Sequence, residues 1–131
     1  MNGRRRMGAR GEEIAARHLE GRGFRIRARN YQTRRGEIDL VAERGRWIVF
    51  VEVRLRRSEA FGSPAETVGP RKRRRLASAA AAFLVEHGLA ERPCRFDIIA
   101  LSDPAGGPEE ILHIENAFDR DGRPTGCWSG D

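Results

Sequence analysis

Two short runs of this chain combine the side chains needed to hold a metal ion beside a phosphate. Glu37 and Asp39 are separated by one residue in Gly36-Glu37-Ile38-Asp39-Leu40-Val41. Glu52 and Arg54 are spaced the same way in Val49-Phe50-Val51-Glu52-Val53-Arg54. On a β-strand, residues two apart point to one face. If the chain turns near Gly45-Arg46, Asp39 stands across from Glu52, and three carboxylates meet a guanidinium on one patch. Acids placed among apolar strand residues are unfavourable unless something compensates them. Like charges directly opposite also weaken a sheet. A divalent cation resolves both problems, and a set of oxygen ligands favours Mg²⁺ or Mn²⁺ over zinc. Such an ion lowers the pKa of a bound water and stabilises charge on a phosphodiester. Arg54 offers two donors to a phosphate. The plainer alternative is a set of solvated acids paired with neighbouring arginines.

The elements that must position these residues follow from patterning. Residues 1–9 are basic and read as a loose arm. From Gly11 the spacing of Ile14, Ala15, His18 and Leu19 gives one apolar stripe of a helix, which Gly21 and Gly23 end. Phe24, Ile26 and Ala28 alternate with Arg25, Arg27 and Arg29, the pattern of a half-buried strand with a basic, solvent-facing side. Asn30-Tyr31 and Arg34-Arg35-Gly36 read as loop. A second strand covers 37–42, a turn 43–46, and a third strand 47–55. The third is apolar on both faces at Ile48–Val51, which predicts a central place in the sheet. Trp47 and Phe50 read as core. Residues 56–67 read as an exposed loop, and a helix follows over 70–87, with Pro70 in its first turn and Gly88 at its C-cap. A fourth strand covers 95–101, a loop 102–110, and a short edge strand 111–114. The polar, Gly-rich end from Asp119 reads as a flexible tail over 119–131. The prediction is one α/β domain over 10–118, order α-β-β-β-α-β-β, with a mixed sheet flanked by helices and the fourth strand parallel to an earlier one.

Composition bounds the function. The chain has 131 residues, 39% hydrophobic and 34% charged, with net charge +6. That length supports a core without disulfide or metal staples. A positive field attracts polyanions, of which nucleic acid is the commonest. The basicity also reflects a bias towards arginine, since Lys72 is the one lysine in the chain. No apolar run approaches the length needed to cross a bilayer, and no apolar segment of signal-peptide type follows the basic start, so a cytosolic protein without membrane partners is expected. Cys94 and Cys127 lie far apart and form no metal-type spacing.

The runs Gly36-Glu37-Ile38-Asp39, Phe50-Val51-Glu52-Val53-Arg54 and Arg95-Phe96-Asp97, with the opening Gly8-Ala9-Arg10-Gly11-Glu12 and Ala15, resemble a small bacterial family often called YraN-like or UPF0102. The likeness extends from about Gly8 to Phe118 and includes the helix bearing Lys72. That family is assigned to the restriction-endonuclease-like PD-(D/E)XK superfamily and is similar to archaeal Holliday-junction resolvases. The resemblance implies that Asp39 is the metal-binding aspartate, Glu52 the second carboxylate, and Glu12 an extra acid near the metal, with Glu37 in an outer position. Arg54 stands where the superfamily pattern has lysine. Arginine stays charged and is a poor proton acceptor. Lys72 on the second helix is the nearest substitute. The resemblance also implies branched or structured DNA as partner and a homodimer.

Each feature has a bland counterpart. Glu12 suits a helix N-terminus as a dipole partner. Arg71, Lys72, Arg73, Arg74 and Arg75 form a charged helix face; cations there oppose the dipole and are easier to explain beside a phosphate backbone. Asp97 follows Arg95 at strand spacing and reads as a buried partner of it. His18, His87 and His113 are isolated from one another in sequence. No Ser/His/Asp arrangement, Walker loop, GxGxxG or Cys/His cluster is present. The leading expectation is Mg²⁺- or Mn²⁺-dependent hydrolysis of phosphodiesters in structured DNA, with Asp39, Glu52 and Arg54 at the reaction, Glu12, Asp39 and Glu52 on the metal, and Arg54, Arg71, Lys72, Arg73 and Arg75 on phosphates. A catalytically weak nucleic-acid-binding module is the second reading, and a protein-interaction domain the third.

Overall fold

The computed structural model describes residues 2–56, 68–102 and 110–123, without the side chains of 2–9 and 56. The elements are α1 (Asn2–Gly21), β1 (Arg25–Gln32), β2 (Glu37–Arg44), β3 (Trp47–Arg56), α2 (Pro70–Glu86), β4 (Cys94–Ser102) and β5 (Ile111–Phe118). They form one five-stranded mixed sheet in the order β1-β2-β3-β4-β5. β3 is central and runs parallel to β4, while the other pairs are antiparallel. The α2 crossover is what a parallel connection requires.

A helix covers each face. Ile48, Phe50, Phe96, Ile98 and Phe118 of the sheet pack with Leu76, Ala79, Phe83 and Leu84 of α2. On the other face Leu40, Val49, Val51, Ile99 and Leu101 pack with Ala15, Ala16 and Leu19 of α1. Each large apolar side chain buried in this way contributes about 1.5–3 kcal/mol. β3 alternates between the two cores, as its two-sided apolar pattern predicts.

The β2–β3 hairpin closes through Gly45-Arg46, between the paired Arg44 and Trp47. Gly45 has φ +61, at the first central position, where a two-residue hairpin favours glycine. This turn is tighter than the expected 43–46, and both strands are longer. At the start of β3, Trp47 is 45% exposed rather than core, because it lies at the sheet's end beyond either helix. Gly88, at φ +67, follows the C-cap His87 of α2 and occupies the left-handed position beyond it.

Four further expectations change. Residues 2–9, expected as a loose arm, belong to α1; Arg, Met and Ala there are strong helix formers and no proline interrupts them. β1 continues through Asn30 and Tyr31, leaving only Thr33–Gly36 as the turn, closed by Thr33 N–H on Gly36 O at 2.8 Å. β5 runs on to Phe118, held where its register shifts by Asn116 N–H, which donates to Asp97 Oδ1 at 2.9 Å. At the expected tail, residues 119–123 form a turn seated on α2: Gly122 is buried, and Arg73 Nε donates to its carbonyl at 2.7 Å. Residues 57–67, 103–109 and 124–131, hence most of the two expected loops and the rest of the tail, lie outside the described residues.

Candidate carboxylate site and its basic groove

The site forms where the β2–β3 ladder stops. The last paired residues are Leu40 and Val51; the next positions are Asp39 and Glu52. Instead of a backbone bond, Asp39 Oδ2 accepts the Val53 N–H at 2.8 Å. The carboxylate is thereby drawn into the seam between the strands. On the other side of β2, the chain breaks its alternation. Ala28 and Tyr31 are three apart, as are Ile38 and Val41, yet all four pack on the α2-side core. Leu40 lies in the α1-side core, and Arg29 reaches Glu13 of α1. Asn30, with φ +52, sits at this switch of faces opposite Asp39. Asparagine tolerates that conformation better than most residues. The kink lets Asp39 meet groups from both sides of the sheet.

Glu12 arrives from α1, half-buried, and lies close enough to Asn30, Glu37 and Asp39 for them to influence its titration. Burial is the main cause of its raised pKa, with the Glu37 charge adding to it. Its neighbour Glu13 turns outward and is engaged by Arg29 at 2.8 Å and Arg17 at 3.0 Å. Glu52 is buried on β3. Lys72 Nζ of α2 lies 3.0 Å from Glu52 Oε2, and Arg54 Nη1 lies 3.4 Å from the same oxygen. Asp39 is pushed up to about 8, first by burial, then by the Glu52 charge, with Glu12 adding and Lys72 opposing. The site therefore carries more negative charge than its own cations neutralise, and it keeps a proton to compensate.

The donors suit a hard divalent cation in kind: carboxylate oxygens of the buried Glu52 and the half-buried Glu12 and Asp39. Among the described residues, no three His, Cys, Asp or Glu side chains are gathered into a ready metal cage. Lys72 and Arg54 hold Glu52 in this conformation. The expected residues Glu12, Asp39, Glu52, Arg54 and Lys72 are thus brought together by α1, β2, β3 and α2. Glu37 is exposed at the rim of the same cleft, of about 130 Å³, with Gly36 and Arg75.

Gly36, Glu37 and Arg75 also border a larger open groove of about 810 Å³ between the β1–β2 turn and α2. Arg71 and Arg75 line it, as does Arg74. Arg73 does not: its Nη1 donates to Val68 O at 2.6 Å and its Nε to Gly122, so it ties down the segments flanking α2. Arg25 and Arg27 of β1 are instead engaged by a carboxylate. Arg25 and Arg27 both lie 2.7 Å from Glu43 Oε1, and Arg92 lies 2.9 Å from Glu43 Oε2. The hydrogen bond from Arg25, with those from Arg27 and Arg92, holds Glu43 down at about 2.

A second polar cluster occupies the α1 face. Asp97 is fully buried. It accepts from Arg95 Nε at 3.1 Å and lies 2.8 Å from His113 Nε2. His113 Nδ1 is 3.2 Å from His18 Nε2 of α1. Burial, then the neighbouring His113, lowers the pKa of His18. The Asp97–Arg95 pairing agrees with expectation. The histidine link was hidden in the sequence because its members are 95 residues apart. Asn30 was missed as well, although an Asn inside an alternating segment is a signal for positive φ.

A family model described as "Uncharacterised protein family UPF0102" matches residues 11–101. A UPF0102 protein of Anaeromyxobacter dehalogenans is 50% identical over 127 residues, 97% of this chain and 93% of that protein. One of Symbiobacterium thermophilum is 45% identical over 114 residues, 87% of this chain and 97% of that protein. One of Moorella thermoacetica is 53% identical over 98 residues, covering 75% and 82% of the two chains.

Proposed function

This chain belongs to the uncharacterised family UPF0102, and from its own geometry we propose that it hydrolyses phosphodiester bonds in structured DNA at the Asp39–Glu52 site with Mg²⁺ or Mn²⁺. One observation carries the reading. Four elements bring Glu12, Asp39, Glu52 and Lys72 together, and Asp39 stands there beside the buried Glu52, its pKa raised first by burial and then by the Glu52 charge. The resemblance to restriction-endonuclease-like proteins and resolvases gives this arrangement a chemical precedent.

Glu12, Asp39 and Glu52 would hold the ion; once bound, it would supply positive charge to the carboxylates and a more acidic water. With an ion there, Asp39 would be ionised, and Lys72 and Arg54, which contact Glu52 in this structure, would supply positive charge towards the phosphate. Lys72 is the better candidate for a group that approaches the attacking water, because an ammonium is compact and arginine does not give up its proton.

The test is incubation of four-way junctions, flaps and single strands with Mg²⁺ or Mn²⁺, using wild type and Asp39→Ala. Cleavage by wild type and none by Asp39→Ala is expected. Absence of cleavage by wild type with either ion would overturn the reading. A second reading, a nucleic-acid-binding module with little or no catalysis, is favoured by Arg54 in the lysine position. Its signature is salt-sensitive binding by both proteins with cutting by neither.

A further inference from the structure

The geometry points to the groove between the β1–β2 turn and α2 as a binding subsite for the sugar-phosphate backbone of double-stranded nucleic acid, read without regard to sequence. Its walls carry Arg34 and Arg35 from the turn and Arg71, Arg74 and Arg75 from α2, with Ser78 at its floor. Among the described residues none of these five arginines has a carboxylate or carbonyl partner. That separates them from Arg25, Arg27, Arg29 and Arg92, each of which is engaged by the carboxylate of Glu43 or Glu13. Unspent guanidiniums on two facing walls are a site for a repeating anion, and their planar forks match phosphate oxygens.

The walls are held in place. Thr33 Oγ1 accepts from the N–H groups of Arg35 and Gly36, each at 3.1 Å, so the turn is a fixed shape. A side chain at Gly36 would come within 2.9 Å of the Arg75 carbonyl, so glycine is what lets the turn lie against α2. The lining contains no aromatic ring on which an unstacked base could lie. Single strands are typically gripped by such stacking platforms. A groove lined by five guanidiniums against the one carboxylate of Glu37 instead suits a strand whose bases are already stacked in a duplex, contacted from its phosphates alone. Gly36, Glu37 and Arg75 border both the groove and the Asp39–Glu52 cleft, so a backbone in the groove leads to the acids.

This inference rests on the site being directed at phosphodiesters, yet the two are separable. Binding measured with a chelator present reports the groove even if no cleavage occurs. The probes are blunt DNA duplexes of contrasting base composition and single strands of equal length, titrated with salt by fluorescence anisotropy. Five phosphate contacts give a log–log slope of about −4 to −5 for duplex. Replacing Arg34 and Arg35 together by Ala lowers that slope by about two, as does the pair Arg71→Ala and Arg74→Ala on the other wall. Arg25→Ala with Arg27→Ala leaves it unchanged. Duplexes of different sequence bind alike, and single strands more weakly. The proposal is overturned if both groove pairs leave the slope unchanged, if the Arg25/Arg27 pair lowers it equally, or if single strands bind more tightly than duplex.

Discussion

Asp39, half-buried, and Asp97, fully buried, lie on strands that flank β3 from either side, yet they stand in opposite conditions. Asp97 has a partner at every approach: the Arg95 guanidinium, the His113 ring and the Asn116 N–H. Asp39 has one backbone N–H and otherwise faces Glu52 and Glu12. Complete satisfaction makes Asp97 part of the scaffold. The deficit at Asp39 marks a place where something from outside can be received, as strongly perturbed groups in clefts tend to. One aspartate holds the molecule together, and the other is held in readiness by it.

The comparison can be broken most decisively at Asp97. Asp97→Ala leaves Arg95 and His113 without their shared acceptor, and a loss of about 3–5 kcal/mol in unfolding free energy is expected from urea titration. A loss under about 1 kcal/mol would place Asp97 outside the scaffold.

At Asp39 the expected effect reverses sign. The folded carboxyl keeps its proton to about 8, whereas the ordinary value is 3.8. Its protonation therefore supports folding fully below about pH 4, and that support is lost as pH rises towards about 8. Asp39→Asn has no proton to lose, so its unfolding midpoint should fall less than that of wild type across this window and should exceed it near pH 8. Millimolar Mg²⁺ or Mn²⁺ should raise the midpoint of wild type at neutral pH and leave that of Asp39→Asn unchanged. Equal pH profiles for the two proteins would remove the claimed charge deficit.

Smaller effects sharpen the contrast. His18→Ala cuts the outer end of the chain that runs to Asp97 and should remove about 0.5–1.5 kcal/mol by the same titration. Lys72→Met removes a half-exposed ion pair and should change stability by less than about 1 kcal/mol. It should nevertheless strongly reduce metal-dependent cleavage, a split that a merely structural lysine would not show.

The sequence carries the outline of this arrangement through periodicity. The two-sided apolar run at Ile48–Val51 places β3 at the centre, and the one-residue spacing of Glu37/Asp39 and Glu52/Arg54 places the acids together. Pro70 and Gly88 mark the limits of α2. What stays hidden depends on tertiary contact. The fate of a charge is one such case: Arg25 and Arg34 look alike in the chain, but folding brings Glu43 to the first and, among the described residues, no carboxylate to the second. The Asp97–His113–His18 chain is another, because its members come from β4, β5 and α1. Trp47 misleads because a large aromatic at a strand end has no helix above it. The kink at Asn30 defeats strict alternation, so local pattern alone ended β1 too early.

The two-residue turn at Gly45-Arg46 has a further consequence. Side chains alternate along β3, so the turn acts as a reading frame for the whole sheet. One residue inserted there would hand Glu52 to the α1 side and Val51 to the α2 side. The same shift would send Phe50 away from Phe83 and break the ladder that aligns Val51 with Asp97. Chemistry and packing are thus written in the same phase. A change of sequence length at this turn scrambles both at once, whereas length can vary at the β1–β2 turn without altering which face β3 shows to either helix.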